Sequence, residues 1–207
     1  MLRPVTVIAG GYSARRVRTE NLPGLIIAIN DCFVHMRRAP DVILTMDRLW
    51  TEHRWPDIVR SGLPFYCRST CIQNIAGARE YEGLKLYDCD NKTAVFSNDP
   101  ITLNGTNSGT CGINLAYQLR PTHLFLVGFD MRPGPNGEAH WYPPYPWAPN
   151  GATKPGKFAT WSREFELIKQ QFTMLQTNVY NVSDRSLITA FDEMDIDFFN
   201  RMNTPND

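Results

Sequence analysis

Short apolar runs that end in glycine, asparagine or aspartate recur along this chain. Seven of them predict β-strands, at 5–9, 25–29, 42–46, 64–67, 84–87, 124–127 and 179–182. Apolar residues at helical spacing predict helices at 112–119, 161–175 and 185–191, and a Trp-rich helix or loop at 48–55. Strands that alternate with helices indicate an α/β, Rossmann-like fold, in which a mostly parallel sheet is covered by helices on both faces.

Length and composition favour one domain over residues 1–207. The 43% hydrophobic and 12% aromatic content is enough for one substantial core. Residues 132–156 are rich in proline, glycine and aromatic side chains, and this stretch is too long for a plain connection. We therefore predict that it is a lid loop over an active site.

Charge and apolar content exclude several classes of protein. Basic and acidic residues number 21 each, so the net charge does not indicate non-specific electrostatic binding to nucleic acid or to an anionic membrane. No run approaches the length of about 18 apolar residues that a membrane span requires. The five cysteines are an odd set without paired C-x-x-C spacing, which favours reduced, mostly buried thiols. We expect a cytoplasmic protein, in the host cytoplasm if a phage encodes it.

Polar residues follow the predicted strands at the point where ligands bind in open α/β sheets, beyond the carboxyl ends. The candidate binding residues are Gly10, Gly11, Ser13, Asn30, Asp47, Asn107, Ser108, Gly109 and Asp130.

Two glycine-containing turns have the chemistry to hold a phosphate. Gly10 and Gly11 allow close approach of the backbone to an anion at a helix N-terminus, although a plain turn capped by Ser13 fits equally well. The amides of Ser108 and Gly109 offer the same chemistry, and the alternative is a helix cap without a ligand. Asp130 either ties down a neighbouring loop or faces the cleft.

The predicted lid contains the candidate general base. His140 has an imidazole of near-neutral pKa, which can take a proton from a hydroxyl group. Its neighbours Trp141, Tyr142 and Tyr145 are able to stack on a sugar or a base. The alternative is a merely exposed loop histidine.

The sequence does not support a metal site. Asp-x-Asp pairs, which hold divalent cations in many transferases, occur at 88–90 and 195–197. The first pair is in a predicted turn and the second in an acidic C-terminal stretch, so we interpret both as accidental. The G-x-S-x-G motif of serine hydrolases is absent.

Five stretches together resemble a known family of enzymes. In chain order they are VTVIAGGYSARRV, IAIND, NSGTCGINLAYQLRPTHLFLVGFDM, HW and VYNVSDRSLITAF. They are similar in order and spacing to motifs of the bacterial CMP-sialic-acid-dependent lipooligosaccharide sialyltransferases, over nearly the whole chain. The third stretch is the most specific. The chain also resembles MptE-like pterin diphosphokinases and uncharacterised phage and prophage proteins.

The resemblance implies a GT-A-type, inverting glycosyltransferase that needs no metal or other cofactor. Its CMP-type donor would contact Gly10, Gly11, Ser13, Asn30, Ser108 and Gly109. Asp130 would shape the cleft, and His140 would be the general base.

The chain departs from the family pattern near this base. The paired tyrosines that precede the family's histidine are absent, and the only basic residue between Asp130 and His140 is Arg132. We predict that Arg132 stabilises the leaving phosphate in their place.

Two further functions remain open from the sequence. A phosphotransferase would need Mg²⁺ held by Asp47, Asp130 or both. A non-catalytic protein would bind a nucleotide or be part of a virion. The sequence also leaves open whether the acceptor is a glycan, a protein or a modified nucleic acid, and whether the chain forms a homo-oligomer.

Overall fold

One eight-stranded sheet forms the centre of the structure, a computed structural model that describes residues 3–90, 92, 95–148 and 155–204. The strands are β1 Val5–Ile8, β2 Leu25–Ile29, β3 Val42–Leu44, β4 Phe65–Cys67, β5 Leu84–Leu86, β6 His123–Val127, β7 Asn178–Val182 and β8 Asp192–Met194. All neighbouring strands are parallel. The predicted α/β, Rossmann-like class is confirmed.

The strand order β5-β4-β3-β2-β1-β6-β7-β8 reverses direction between β1 and β6. Ile8, the last residue of β1, pairs with Ala28 of β2 and with Val127 of β6. Open α/β sheets bind their ligands in the crevice at such a reversal. The loops that begin at Ala9 and Gly128 therefore form the expected site.

Helices cover both faces of the sheet. They are α1 Cys32–His35, α2 Arg48–Ser61, α3 Ser108–Gln118, α4 Pro155–Met174 and α5 Ile196–Met202. Successive strand residues point to opposite faces. Val7 therefore joins the core under α3 and α4, whereas Ile8 joins the core under α5. A third cluster packs α2 against β3 and β4.

The helix predicted at 185–191 is wrong. One backbone N–H and one hydroxyl of this stretch bind the loop after β6 instead of forming helical bonds: Leu187 N donates to Asp130 O at 3.0 Å, and Ser186 Oγ donates to Phe129 O at 2.7 Å. Arg185 has a φ of 56°, outside the helical region. The last elements are instead β8 and α5, where Asp195 accepts a hydrogen bond from Phe198 N at 2.8 Å.

The predicted lid loop also needs a correction at its end. Pro155 and Gly156 belong to the first turn of α4, and proline suits that position because its missing N–H is not needed there. Residues 149–154 of the predicted loop lie outside the described residues.

The cysteines and the helices agree with two simpler expectations. All five cysteines are free, and four of them are buried. Over the residues that the structure describes, no helix combines the length and the apolar character needed to cross a bilayer.

Candidate active site

A cavity of about 560 Å³ opens at the strand-order reversal, between the carboxyl ends of β1, β2, β3 and β6 and the N-terminus of α3. It brings together twelve of the residues predicted from the sequence: Gly10, Gly11, Asn30, Asp47, Asn107, Ser108, Gly109, Asp130, Arg132, His140, Tyr142 and Tyr145. Two predicted residues, Ser13 and Trp141, are not in its lining. We call this space the main cavity.

The turn after β1 requires glycine because it lies directly on the backbone of the β6 loop. Gly11 N donates to Gly128 O at 2.9 Å. A Cβ atom on Gly11 would lie 2.4 Å from that same carbonyl oxygen, and one on Gly10 would lie 2.7 Å from His140 Nδ1. Both contacts are closer than real Cβ atoms allow. The two glycines therefore let the turn and the imidazole approach each other at the floor of the cavity.

Asp130 holds the same turn in place. Its carboxylate accepts a hydrogen bond from Ser13 N at 2.8 Å, and a second, short bond from Ser13 Oγ. Burial raises the pKa of Asp130, and the two bonds from Ser13 oppose that shift. Ser13 thus binds Asp130 and does not line the main cavity, and the sequence alternative in which Asp130 ties down a loop agrees with this geometry.

The N-terminus of α3 forms one wall of the main cavity. Asn107 caps the helix by accepting from Thr110 N at 3.1 Å, and Thr110 completes a capping box. Ser108 Oγ accepts from Met46 N at 3.0 Å, which ties the loop after β3 to the helix. The amides of Ser108 and Gly109 precede the first intrahelical bond, so they are able to donate to an anion. Asn107 Nδ2 is buried and makes no hydrogen bond within the described chain.

His140 lines the main cavity beside the glycine turn. Its backbone neighbour Trp141 donates from N to Gly10 O at 3.0 Å, and its ring stacks on Tyr142 with centroids 4.9 Å apart. Burial lowers the pKa of His140, and hydrogen bonding to the Gly10 backbone and the charge of Asp31 oppose that shift. The imidazole is therefore mainly neutral at pH 7 and able to accept a proton.

Residues 140–147 form an aromatic strap across this end of the sheet. Tyr142 lies between His140 and His35, which stacks on it at 5.1 Å. The Tyr142 and Tyr145 hydroxyl oxygens are 3.2 Å apart. Trp147 stacks on His53 at 4.4 Å. These ring contacts hold the strap in place at His140, Tyr142 and Trp147.

A buried carboxylate beneath the strap anchors it. Asp31 is 1% exposed and accepts from Trp50 Nε1 at 2.7 Å and from Arg54 Nε at 2.8 Å. The Arg54 guanidinium in turn lies 5.1 Å from the Trp147 ring centroid. Sequence reasoning missed this network because its members come from separate loops and helices. Trp141 belongs to this side as well, since it packs with the core around Cys32.

Asn30 and Asp47 line the main cavity, and one side-chain oxygen of each accepts a hydrogen bond from within the protein. Asn30 Oδ1 accepts from Thr45 Oγ1 at 2.7 Å, and Asp47 caps α2 by accepting from Trp50 N at 3.0 Å. Asn30 follows β2 directly, as predicted, whereas Asp47 lies three residues beyond β3, because that strand ends at Leu44 and not at Met46 as the sequence pattern predicts.

Several lining residues were not predicted from the sequence. Arg48 and Lys157 bring positive charge to the rim, and Trp161 adds an aromatic surface. The start of α4 contributes both Lys157 and Trp161. Pro155 was the available signal for that helix start.

We find no cluster of three His, Cys, Asp or Glu side chains that could hold a metal ion within the described ranges. Independence from metal remains a prediction. Both carboxylates of the Asp-x-Asp pair at 195–197 contact groups of the protein: Asp195 caps α5, and Asp197 forms an ion pair with Arg16 at 3.0 Å.

The fold and the position of the cavity define a Rossmann-like, GT-A-like class. The chain matches no protein-family model and no curated protein sequence. Among solved structures, the chain is similar to sialyltransferases. CstII from Campylobacter jejuni, in complex with cytidine-5'-monophosphate (CMP), is similar over 93% of this chain and 84% of its own, with a TM-score of 0.57 and 12% identity.

A second solved structure gives the same result. The monofunctional alpha-2,3-sialyltransferase Cst-I from Campylobacter jejuni is similar over 100% of this chain and 83% of its own, with a TM-score of 0.57 and 12% identity. Likeness at this identity establishes the shared fold. It agrees with the sialyltransferase resemblance of the sequence motifs.

Proposed function

We propose that this protein is a glycosyltransferase that uses a CMP-type sugar donor, with His140 as general base and without a metal ion. The observation that carries the proposal is the position of His140. A mainly neutral imidazole and the N-terminus of α3 line the same cavity at the strand-order reversal. A base and an anion-binding helix end on one cavity are what such a transfer requires.

In the proposed reaction, His140 takes the proton of an acceptor hydroxyl. The acceptor oxygen attacks the anomeric carbon as the bond from that carbon to the phosphate oxygen breaks. CMP leaves from the opposite side, so the configuration at this carbon inverts. The base needs no activation by a metal, because its pKa keeps it unprotonated at neutral pH.

Positive groups around the main cavity would offset the charge of the departing phosphate. Arg132, Arg48 and Lys157 line it, and the amides at the start of α3 add the positive end of a helix dipole. Fixed donors and charges of this kind stabilise charge that develops in a transition state. We assign this role first to Arg132, which stands between Asp130 and His140 in the sequence.

CMP should stabilise the folded protein with or without Mg²⁺. We expect the melting temperature to rise by about 5 °C or more when CMP is about a hundredfold above its Kd, because ligand binds only the folded state. Thermal shift with CMP, UMP and AMP, each with EDTA or with Mg²⁺, measures this. A shift that needs Mg²⁺ would instead favour the phosphotransferase, and no shift with any nucleotide would contradict the proposal.

The pH dependence of transfer should reflect the lowered pKa of His140. Only the neutral imidazole accepts a proton, so kcat/KM should fall as pH decreases. Because burial lowers the pKa of His140, the midpoint should lie below the ordinary histidine value of 6.5. CMP release from CMP-sialic acid, measured between about pH 4.5 and 8, tests this. A midpoint above pH 6.5 would show that the fall in kcat/KM comes from the protonation of a group other than His140.

A further inference from the structure

A second cavity of about 680 Å³ lies beside the main cavity. Asp130 and Arg132 line both, so the two cavities share a wall. Loops after β1, β6 and β7 form it together with β8. Its charged lining residues are Arg15, Arg16, Asp130, Arg132, Asp184, Arg185 and Glu193.

The carboxylates of this second cavity already have partners. Asp130 is occupied by Ser13. Asp184 forms an ion pair with Arg16 at 2.5 Å. Glu193 Oε1 accepts from the backbone N of Arg185 at 2.8 Å. Only Arg16 is paired with a carboxylate by these contacts, and the lining holds four arginines against three carboxylates.

Three arginines of the second cavity have no such pairing. Within the described part of the chain, Arg15, Arg132 and Arg185 form no ion pair with a carboxylate. Arg132 donates to the backbone Asp184 O at 2.9 Å. Arg15 donates to the Tyr12 hydroxyl and lies 4.8 Å from the centroid of that ring.

Neutral contacts thus hold two of these cations in place without cancelling their charge. Guanidinium groups bind carboxylates and phosphates in a planar, two-pronged geometry. Tyr12 adds an aromatic side chain to the lining, and the Glu193 carboxylate adds acceptors for the hydroxyls of a sugar. The lining therefore combines three guanidinium groups outside ion pairs, and a small net positive charge, with groups that suit a polyol.

We propose that the second cavity binds an acidic sugar, one that carries a carboxylate or a phosphate, as the acceptor or the acidic part of the acceptor. The assignment as acceptor rests on the proposed transferase function. The donor and the reacting hydroxyl would lie in the main cavity beside His140, and the second cavity, which shares Asp130 and Arg132 with it, would hold the acidic part of the acceptor. Arg132 on that wall contacts both spaces.

Binding of small acidic sugars tests the proposal without any transfer reaction. Glucuronic acid and glucose 6-phosphate serve as carboxylate and phosphate probes, and glucose is the neutral control. Titration calorimetry or ligand-observed NMR gives their affinities. We expect at least one acidic sugar to bind about tenfold or more tightly than glucose, because hydrogen bonds between charged partners are the stronger class.

Two exposed arginines make suitable variants because they line only the second cavity. Arg15→Gln and Arg185→Gln should each weaken binding of the acidic sugar about tenfold. Arg79→Gln changes an exposed arginine outside both cavities and should leave that affinity unchanged. Melting temperatures of all three variants check that they are folded.

Competition with CMP separates this proposal from the proposed function. Acidic sugar should still bind when CMP is saturating, since the two ligands occupy different cavities. Displacement by CMP, equal binding of glucose, or unchanged affinity in both arginine variants would each overturn the assignment of the second cavity. If acidic sugar binds as expected but CMP does not bind at all, the transferase fails and the acidic-sugar site stands.

Discussion

Replacing His140 with glutamine should lower kcat for sugar transfer by about 10²- to 10⁴-fold, the range that general-base catalysis contributes. Glutamine keeps a polar group near the wall at Gly10 but cannot accept the acceptor's proton. CMP affinity should stay within a few fold, because the nucleotide is proposed to lie over the glycine turn and the start of α3. Release of CMP from CMP-sialic acid measures kcat, and thermal shift measures CMP binding.

His123→Gln is the matched control for this experiment. His123 is exposed and begins β6, at the end of the sheet opposite the main cavity. Its replacement should leave kcat unchanged. Unchanged transfer by the His140 variant would remove the assignment of the base, and loss of CMP binding in that variant would show that His140 holds the donor.

The strands and their ends could be predicted because local signals determine them. β2 occupies Leu25–Ile29, the same bounds that the apolar pattern predicts. A central parallel strand is buried on both faces, so its sequence is a continuous apolar run followed by a polar turn. That rule also located the glycine turn and Asn30, which meet at one cavity because all the strands are parallel.

The last strand and helix could not be predicted in this way. β8 has the sequence Asp-Glu-Met and lies at the sheet edge, where an apolar run is not needed. The helix expected at 185–191 failed for a related reason. The pattern of apolar residues gave no indication that Ser186 and Leu187 would bind the backbone after β6.

The chemistry of the site also depends on partners that are distant in sequence. Ser13 and Asp130 are 117 residues apart. Ser13 was predicted to contact a ligand, and the sequence left open whether Asp130 ties down a loop or faces the cleft. Their mutual hydrogen bonds give them a positioning role that no local pattern reveals. Arg15 and Arg185, similarly, are ordinary loop arginines in the sequence, and only the packing of the loops after β1 and β7 brings them to one cavity.

Removing the carboxylate in Asp130→Ala should lower the free energy of unfolding by about 3 kcal/mol, because Ser13 N and Ser13 Oγ both lose a buried acceptor. CMP affinity should fall as well, since the Gly10–Ser13 turn would lose its anchor. Asp130→Asn should cost less, because the amide keeps one acceptor oxygen and avoids burial of a charge. That burial raises the pKa of Asp130 in the native protein. Denaturant unfolding of the two variants measures the difference.

Asp184→Ala provides a control from the same region of the protein. Asp184 is partly exposed and pairs with Arg16, which is also exposed, so its loss should change stability by no more than about 1 kcal/mol. If Asp130→Ala were as stable as the native protein and lost transfer alone, Asp130 would take part in the chemistry itself. A loss of stability and of CMP binding together, with a smaller effect for asparagine, would identify Asp130 as the residue that positions the donor turn.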